Sequence, residues 1–187
     1  MGGTRRGCVL FGRQGRSAAR IGGGRKGSRQ RYSQRRCMRV VIFGCGRTGA
    51  SLALMLTARG HSVTIIEQNR RALRRLGKDH NCEIVFGSGL EDDILEKARV
   101  RDAECFFALT RGDNTNLMSA QIVRLKFNCP KVCIKVADPL RAEAYRKLGF
   151  FCITPSALTS GMMRDWLISE PYGTIDNYNL LPEELRI

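Results

Sequence analysis

The run Gly44-Cys45-Gly46-Arg47-Thr48-Gly49 follows directly on the apolar stretch Val40-Val41-Ile42-Phe43. A G-x-G-x-x-G turn between a buried strand and a helix is suited to receiving a dinucleotide pyrophosphate. Gly44 permits the tight turn, Gly46 lets the backbone approach the phosphates, and Gly49 lets the helix pack closely on the strand. The N–H groups of Gly46 to Gly49 would present partial positive charge to a phosphate. Arg47 would add a charged hydrogen bond, or stand as a solvated first-turn arginine that the helix dipole disfavours, and Thr48 lies in the same loop. Alone the pattern is weak, because 20 of the 187 residues are glycine. Glu67 strengthens it. This residue ends a second apolar strand eighteen residues past Gly49, without an evident protein partner, at the spacing that lets a carboxylate accept hydrogen bonds from ribose hydroxyls. Gln68 follows it in the same loop.

A 2′-phosphate on that ribose is disfavoured. The cluster Arg70, Arg71, Arg74 and Arg75 invites one, but on an α-helix these four share a face opposite Leu73 and Leu76, which solvent exposure explains. Glu67 would repel the extra phosphate by ~4 kcal/mol per unit charge at surface-like screening. NAD(H), ATP or ADP is therefore expected in preference to NADP.

The elements that must position these residues alternate regularly from Met38 onward. Strands are expected at Arg39–Phe43, Ser62–Glu67, Cys82–Phe86, Cys105–Leu109, Val132–Val136 and Phe151–Thr154. Helices are expected at Arg47–Arg59, with Leu52, Leu54, Met55 and Leu56 available to the core, and at Arg70–Leu76, capped by Asn69. Further helices are expected at Glu91–Ala98, Thr115–Phe127 and after Asp138-Pro139. Six near-continuous apolar strands separated by helices describe a doubly wound parallel α/β sheet. Ligands of such sheets sit at the carboxyl ends of the strands, where the strand order reverses. Gly44–Gly49, the region after Glu67 and the loop 108–116 should meet there, with Gly87–Leu90 alongside.

Composition bounds the rest. The formal charge is +15, yet residues 1–37 carry eleven Arg or Lys and no acid, which leaves 38–187 a net of only +4. No nucleic-acid partner is expected for 38–187. Residues 1–37 form a basic tail too polar to fold. It would bind RNA, direct the chain as a transit peptide, touch an anionic membrane, or be spurious upstream sequence with Met38 as the true start, the favoured reading. No apolar run is long enough to span a bilayer. Eight cysteines without a C-x-x-C pair, and two histidines, make a metal site improbable; Cys105, Cys133 and Cys152 read as small buried hydrophobes in a reducing compartment. The last helix, Ala157–Ile168, carries Leu158, Met162 and Trp166 at i+4 spacing with Met163 and Leu167 alongside. That stripe would cover a partner subunit or pack on its own sheet. Residues 169–187 read as linker or tail.

Met38 to about Leu167 resembles the nucleotide-binding domain that regulates potassium channels and transporters, the RCK or KTN (Trk-type N-terminal) domain. Beyond the glycine turn and Glu67, the resemblance rests on Gly87-Ser88-Gly89-Leu90 with Ile94-Leu95, and on Ala108-Leu109-Thr110 with Asp113 and Asn116. It continues in Lys135-Val136-Ala137-Asp138-Pro139, Tyr145, Leu148-Gly149 and Pro155. The resemblance implies a Rossmann-like, six-stranded domain over 38–155 and a C-terminal crossover or dimerisation helix over 156–168. It implies binding of NAD(H) or an adenine nucleotide without chemistry, and assembly as a homodimer or larger ring. It also implies a cytoplasmic location at the inner membrane, beneath an integral-membrane potassium transporter subunit. Ser88, Gly89, Leu90 and Leu109 join the candidate binding residues on this basis. Thr110 and Asn116 would line the crevice or report ligand to a partner subunit, and Asn116 would equally serve as a helix-end residue bonding its own backbone; Lys135 would reach phosphate or pair with Asp138. The family usually has an Asp where this chain has Ser88. About twenty residues follow the last helix, so a stand-alone domain or a truncated or split regulator is expected.

The rival function is an NAD-dependent oxidoreductase. It requires a substrate-holding segment and a proton donor near the nicotinamide. Tyr145 is followed four residues later by Gly149 rather than by the lysine of a Tyr-x-x-x-Lys pair. A third reading, an RNA-binding protein, rests wholly on residues 1–37.

Overall fold

The computed structural model describes residues 36–181, so nearly all of the basic tail and the last six residues lie outside the described residues. Six strands form one all-parallel sheet in the order β3-β2-β1-β4-β5-β6. They are β1 (Arg39–Phe43), β2 (Ser62–Glu67), β3 (Glu83–Phe86), β4 (Cys105–Ala108), β5 (Val132–Lys135) and β6 (Phe151–Ile153). This is the expected doubly wound, Rossmann-like sheet, with several strands one residue shorter than read. Val40 to Phe43 are all buried because β1 is covered on both faces. One face packs Val41, Phe43 and Phe106 against helices α2 (Asp92–Lys97), α3 (Asp113–Lys126) and α4 (Pro139–Lys147). The other packs Val40, Ile42 and Ile65 against α1 (Arg47–Thr57) and a short helical segment, Arg70–Leu76.

Two expectations about helices change. In α1 the core positions are Gly49, Ala50 and Ala53, whereas Leu54 and Met55 are exposed. The reason is the approach of helix to strand: a Cβ on Gly49 would lie 2.0 Å from the Gly44 carbonyl oxygen. So close a crossing leaves the inner face to small residues. Arg70–Leu76 is wound as a 3₁₀ helix, with the Asn69 side chain accepting from Arg71 N–H (2.9 Å) as the cap. Three residues per turn, rather than 3.6, re-aim its side chains.

α5 (Pro155–Ile168) buries only Ala157 and Asp165, and Met162, Met163, Trp166 and Leu167 are exposed. The apolar stripe therefore does not pack on its own sheet. The stretch read as linker or tail contains a further helix, α6 (Ile175–Asn179). Tyr178 lies against Gly161 and donates to Asp165 Oδ2 (2.6 Å). Asn179 accepts from Thr154 N–H (2.8 Å) and donates to the Cys152 carbonyl (2.7 Å), completing the end of β6. No described helix is long and apolar enough to cross a membrane.

Candidate functional site

The strand order reverses between β1 and β4, and there the loops after β1 and β4 nearly touch. Gly44 adopts φ +104°, and a Cβ on it would lie 3.0 Å from the backbone of Leu109 and Thr110. Gly44 N–H donates to the Ile66 carbonyl (2.9 Å), and Leu109 N–H donates to the Phe43 carbonyl (2.8 Å). The crevice above this seam encloses about 990 Å³.

Its first wall is the start of α1. Gly46 is the N-cap, with no side-chain cap and no acid in the first turn. The first N–H groups of a helix have no carbonyl of their own, so this end offers unshielded donors. A Cβ on Gly46 would meet no atom within 4 Å, and Gly46, Arg47 and Thr48 all line the crevice.

Glu67 forms the second wall, and it has protein partners that its position in the sequence did not reveal. Oε2 accepts from Cys45 N–H (2.7 Å) and Oε1 from Asn69 N–H (2.8 Å). The carboxylate thus ties the glycine turn to the exit of β2 in a fixed orientation. Each oxygen retains a second lone pair for a ribose hydroxyl. Burial, then the adjacent Glu67 charge, pushes the Cys45 thiol up to about 11, so it is no nucleophile.

Gln68, Ser88, Leu90, Leu109, Thr110 and Lys135 complete the expected lining. Ser88 Oγ accepts from Leu90 N–H (3.3 Å) and shapes its loop. Burial lowers the Lys135 pKa, with Asp113 opposing and Arg111 reinforcing that shift. Lys135 does not pair with Asp138, whose carboxylate meets Arg141 (3.4 Å).

Three expected residues position the crevice rather than line it. Gly49 packs α1 on β1. Gly89 passes over the Phe43 ring, 2.7 Å from where its Cβ would be. Asn116 is fully buried: its Oδ1 accepts from Thr110 N–H (2.9 Å) and Thr110 Oγ1 (2.6 Å), and its Nδ2 donates to the carbonyls of Thr110 (3.2 Å) and Lys135 (2.9 Å).

The crevice also takes in Phe43, Asn69, Ala72, Arg75, Arg111 and Thr115, none of them among the expected binding residues, although Arg111 and Thr115 lie in the loop 108–116 expected there. Asn69, Ala72 and Arg75 stand at i, i+3 and i+6, which eclipse on a 3₁₀ helix. Arg75 therefore faces the crevice, where an α-helical wheel grouped it with the solvent-facing arginines. The lining holds four cations, Arg47, Arg75, Arg111 and Lys135, against the single carboxylate of Glu67. That balance selects an anion, and the open helix terminus and anchored carboxylate fit a phosphate joined to a ribose. A second cavity, about 460 Å³, shares no lining residue with the crevice and is walled mostly by apolar groups and thiols, among them Phe107, Cys105 and Cys133, with Arg124 and Lys131 beside them. Burial pushes the thiols of Cys105 and Cys133 up to about 11 and about 12. Among the described residues no group of His, Cys, Asp and Glu is arranged to hold a metal.

The fold and this crevice define a Rossmann-like nucleotide-binding type of domain. A family model described as the TrkA-N domain matches residues 40–154, and the chain belongs to that family. It is 36% identical over 126 residues to the Trk system potassium uptake protein TrkA of Streptomyces coelicolor, covering 67% of this chain and 56% of that protein. It is 34% identical over 135 residues to a TrkA homolog of Methanothermobacter thermautotrophicus, covering 72% of this chain and 62% of that one. The chain thus spans little more than half the length of these two relatives. Among solved structures it resembles the TrkA-N domain of the Escherichia coli inner membrane protein ybaL (TM-score 0.63, 17% identity, 70% of this chain and 97% of that one). It also resembles the AMP-bound Kef C-terminal domain of Shewanella denitrificans (TM-score 0.59, 20% identity, 75% and 86%). A third likeness is the GsuK channel bound to NAD (TM-score 0.56, 23% identity, 71% and 25%).

Proposed function

We propose that this chain is a nucleotide-sensing regulatory subunit or domain of a potassium uptake system, binding NAD(H) or an adenine nucleotide and performing no chemistry on it. One observation carries the reading: the uncapped N-terminus of α1 opens, beside Glu67, into a crevice lined by four cations. AMP and NAD in the named structures make an adenine nucleotide the natural candidate. NADP is disfavoured, because a 2′-phosphate would be brought against the Glu67 carboxylate. Tyr145, which lacks the lysine of a Tyr-x-x-x-Lys pair, donates its hydroxyl to Asn114 Oδ1 (3.1 Å).

The output is conformational. Nucleotide states that favour two arrangements of the assembly unequally shift the population between them, and a docked integral-membrane transporter subunit reads that shift. The exposed apolar face of α5 supports a homodimer or larger ring, since contiguous exposed apolar surface marks an interface. On this reading the protein sits in the cytoplasm, against the inner membrane.

Calorimetric titration with NADH, NAD, ATP, ADP, AMP and NADP tests the proposal. At least one of the unphosphorylated-ribose ligands should bind with saturable heat and NADP should bind most weakly. Absence of binding by all six would sink the nucleotide reading, and steady turnover of NADH with a small carbonyl compound would sink the regulatory one.

A further inference from the structure

The turn joining β5 to α4, residues 135–138, is gripped by side chains from two other elements. From the first turn of α3, Asn116 Nδ2 donates to the Lys135 carbonyl (2.9 Å). The Asp113 carboxylate, from the same turn, accepts from the N–H groups of Ala137 (2.9 Å) and Asp138 (3.1 Å). From the first turn of α5, the Ser156 hydroxyl donates to the Ala137 carbonyl. The near end of this network is the crevice itself. Thr110, which lines it, is bound to Asn116 through its N–H, its hydroxyl and its carbonyl, and the Lys135 side chain lines it too. The far end is the helix whose apolar stripe is exposed.

We propose that this turn is the relay by which occupancy of the crevice re-aims α5, with Asn116, Asp113 and Ser156 as its positioning residues. The inference rests on the nucleotide reading above and assigns its route of regulation. Asn116 is fully buried with its amide engaged on both sides, so it cannot follow a shift of Thr110 without losing a bond or moving the Lys135 carbonyl. Asp113 makes the next two residues move with α3. Ser156 hands that displacement to α5, which is otherwise lightly held: only Ala157 and Asp165 of its fourteen residues are buried. The opposite side of the β6–α5 junction is pinned, because Thr154 N–H donates to Asn179 and Thr154 Oγ1 accepts from Arg146 (3.0 Å). A helix pinned on one side of its start and tethered on the other turns when the tether moves.

The chain carries its own reporter, since its one tryptophan, Trp166, is exposed on α5. In the full-length protein, saturation with ADP or NAD, whichever calorimetry shows to bind, should shift the Trp166 emission maximum. Ser156→Ala should lose that shift while calorimetry still records binding at unchanged stoichiometry, and Ser156→Thr, which keeps the hydroxyl, should restore it. Asp113→Asn, which turns an amide N–H toward a backbone N–H, should lose the shift as well. Thermal melts followed by circular dichroism confirm that each variant is folded. A full emission shift in folded Ser156→Ala, or binding to the wild type with no shift, overturns the relay and leaves the binding site standing. Absence of binding to the wild type by both nucleotides overturns the relay, and absence of binding by all six of the calorimetric series overturns the reading on which it rests as well.

Discussion

Two helices of this chain start at the carboxyl ends of neighbouring parts of one parallel sheet, and their N-termini are finished in opposite ways. α4 is closed by the protein: Asp138 caps it by accepting from Leu140 N–H (2.9 Å) and Arg141 N–H (3.5 Å), Pro139 fills its first position, and Asp113 takes the two N–H groups before it. α1 is left open, with glycine at its cap, no acid in its first turn, and Arg47 where the helix dipole disfavours a cation. Glycine in place of a capping side chain forgoes only a few tenths of a kcal/mol, yet it leaves the first N–H groups without a partner from the protein. Placed where the strand order reverses, with three further cations around the crevice, that deficit is what a phosphate would make good. One helix end is built for stability and the other is open to a ligand.

The sharpest way to break this contrast is to make α1 like α4. Gly46 has the extended backbone of an ordinary N-cap (φ −69°, ψ −171°) and open space where its Cβ would be, so Gly46→Asp should fold and cap α1. Nucleotide affinity measured by calorimetry should fall by more than about a hundredfold, roughly 3 kcal/mol. A folded Gly46→Asp protein that binds like the wild type would remove the seat we assign to phosphate. Next in size, Glu67→Gln keeps one carbonyl acceptor but sets an amide against one of two backbone N–H groups. It should weaken NAD or ADP by about tenfold, 1–2 kcal/mol, while narrowing the gap to NADP because the repulsive charge is gone. An unchanged ratio between NAD and NADP would show that Glu67 does not face the ribose.

At α4 the effect should fall on stability alone. Asp138→Ala should cost about 1 kcal/mol in chemical denaturation and leave nucleotide affinity unaltered, the reverse of Gly46→Asp. The smallest effect concerns pH. Burial depresses the Lys135 pKa below its usual 10.5, so the folded protein releases this proton at a lower pH than the unfolded chain does. Within the window between the depressed value and 10.5 the unfolded state binds more protons, so this group's contribution to stability rises with pH there. Phosphate binding favours the ammonium, so affinity should decline as pH rises through the depressed value, with proton uptake on binding. Lys135→Gln should flatten that decline, and a wild-type affinity constant up to pH 10.5 would take Lys135 out of contact with the ligand.

Local signals carried the architecture because they agreed with one another. Apolar runs, the Asn69 and Asp138 caps and the glycine turn all pointed to the same alternation of strand and helix, and hence to a doubly wound parallel sheet. The crevice was legible where chain order sufficed, as for Gly46, Arg47, Glu67 and Thr110. It was illegible where the winding of an element decided the outcome. Arg75 reaches the crevice only because its segment turns every three residues, and four arginines in seven residues gave no sign of that. Asn116 sits in the first turn of a helix, where sequence suggests a ligand-facing amide or one bonded to its own helix end; the bond that it donates to the Lys135 carbonyl, nineteen residues away, left no local sign. α6 was missed for a similar reason, since its docking relies on Tyr178 and Asn179 meeting Asp165 and Thr154 rather than on apolar periodicity.

If the open end of α1 seats an anionic ligand, residue-resolved amide shifts will register it there. In ¹⁵N-labelled full-length protein titrated with ADP or NAD, the amides of Gly46, Arg47, Thr48 and Gly49 should move saturably, while those of Leu140 and Arg141, already bound to Asp138, should stay in place. Shifts centred on the start of α4, or binding that leaves the four α1 amides unmoved, would place the anion elsewhere.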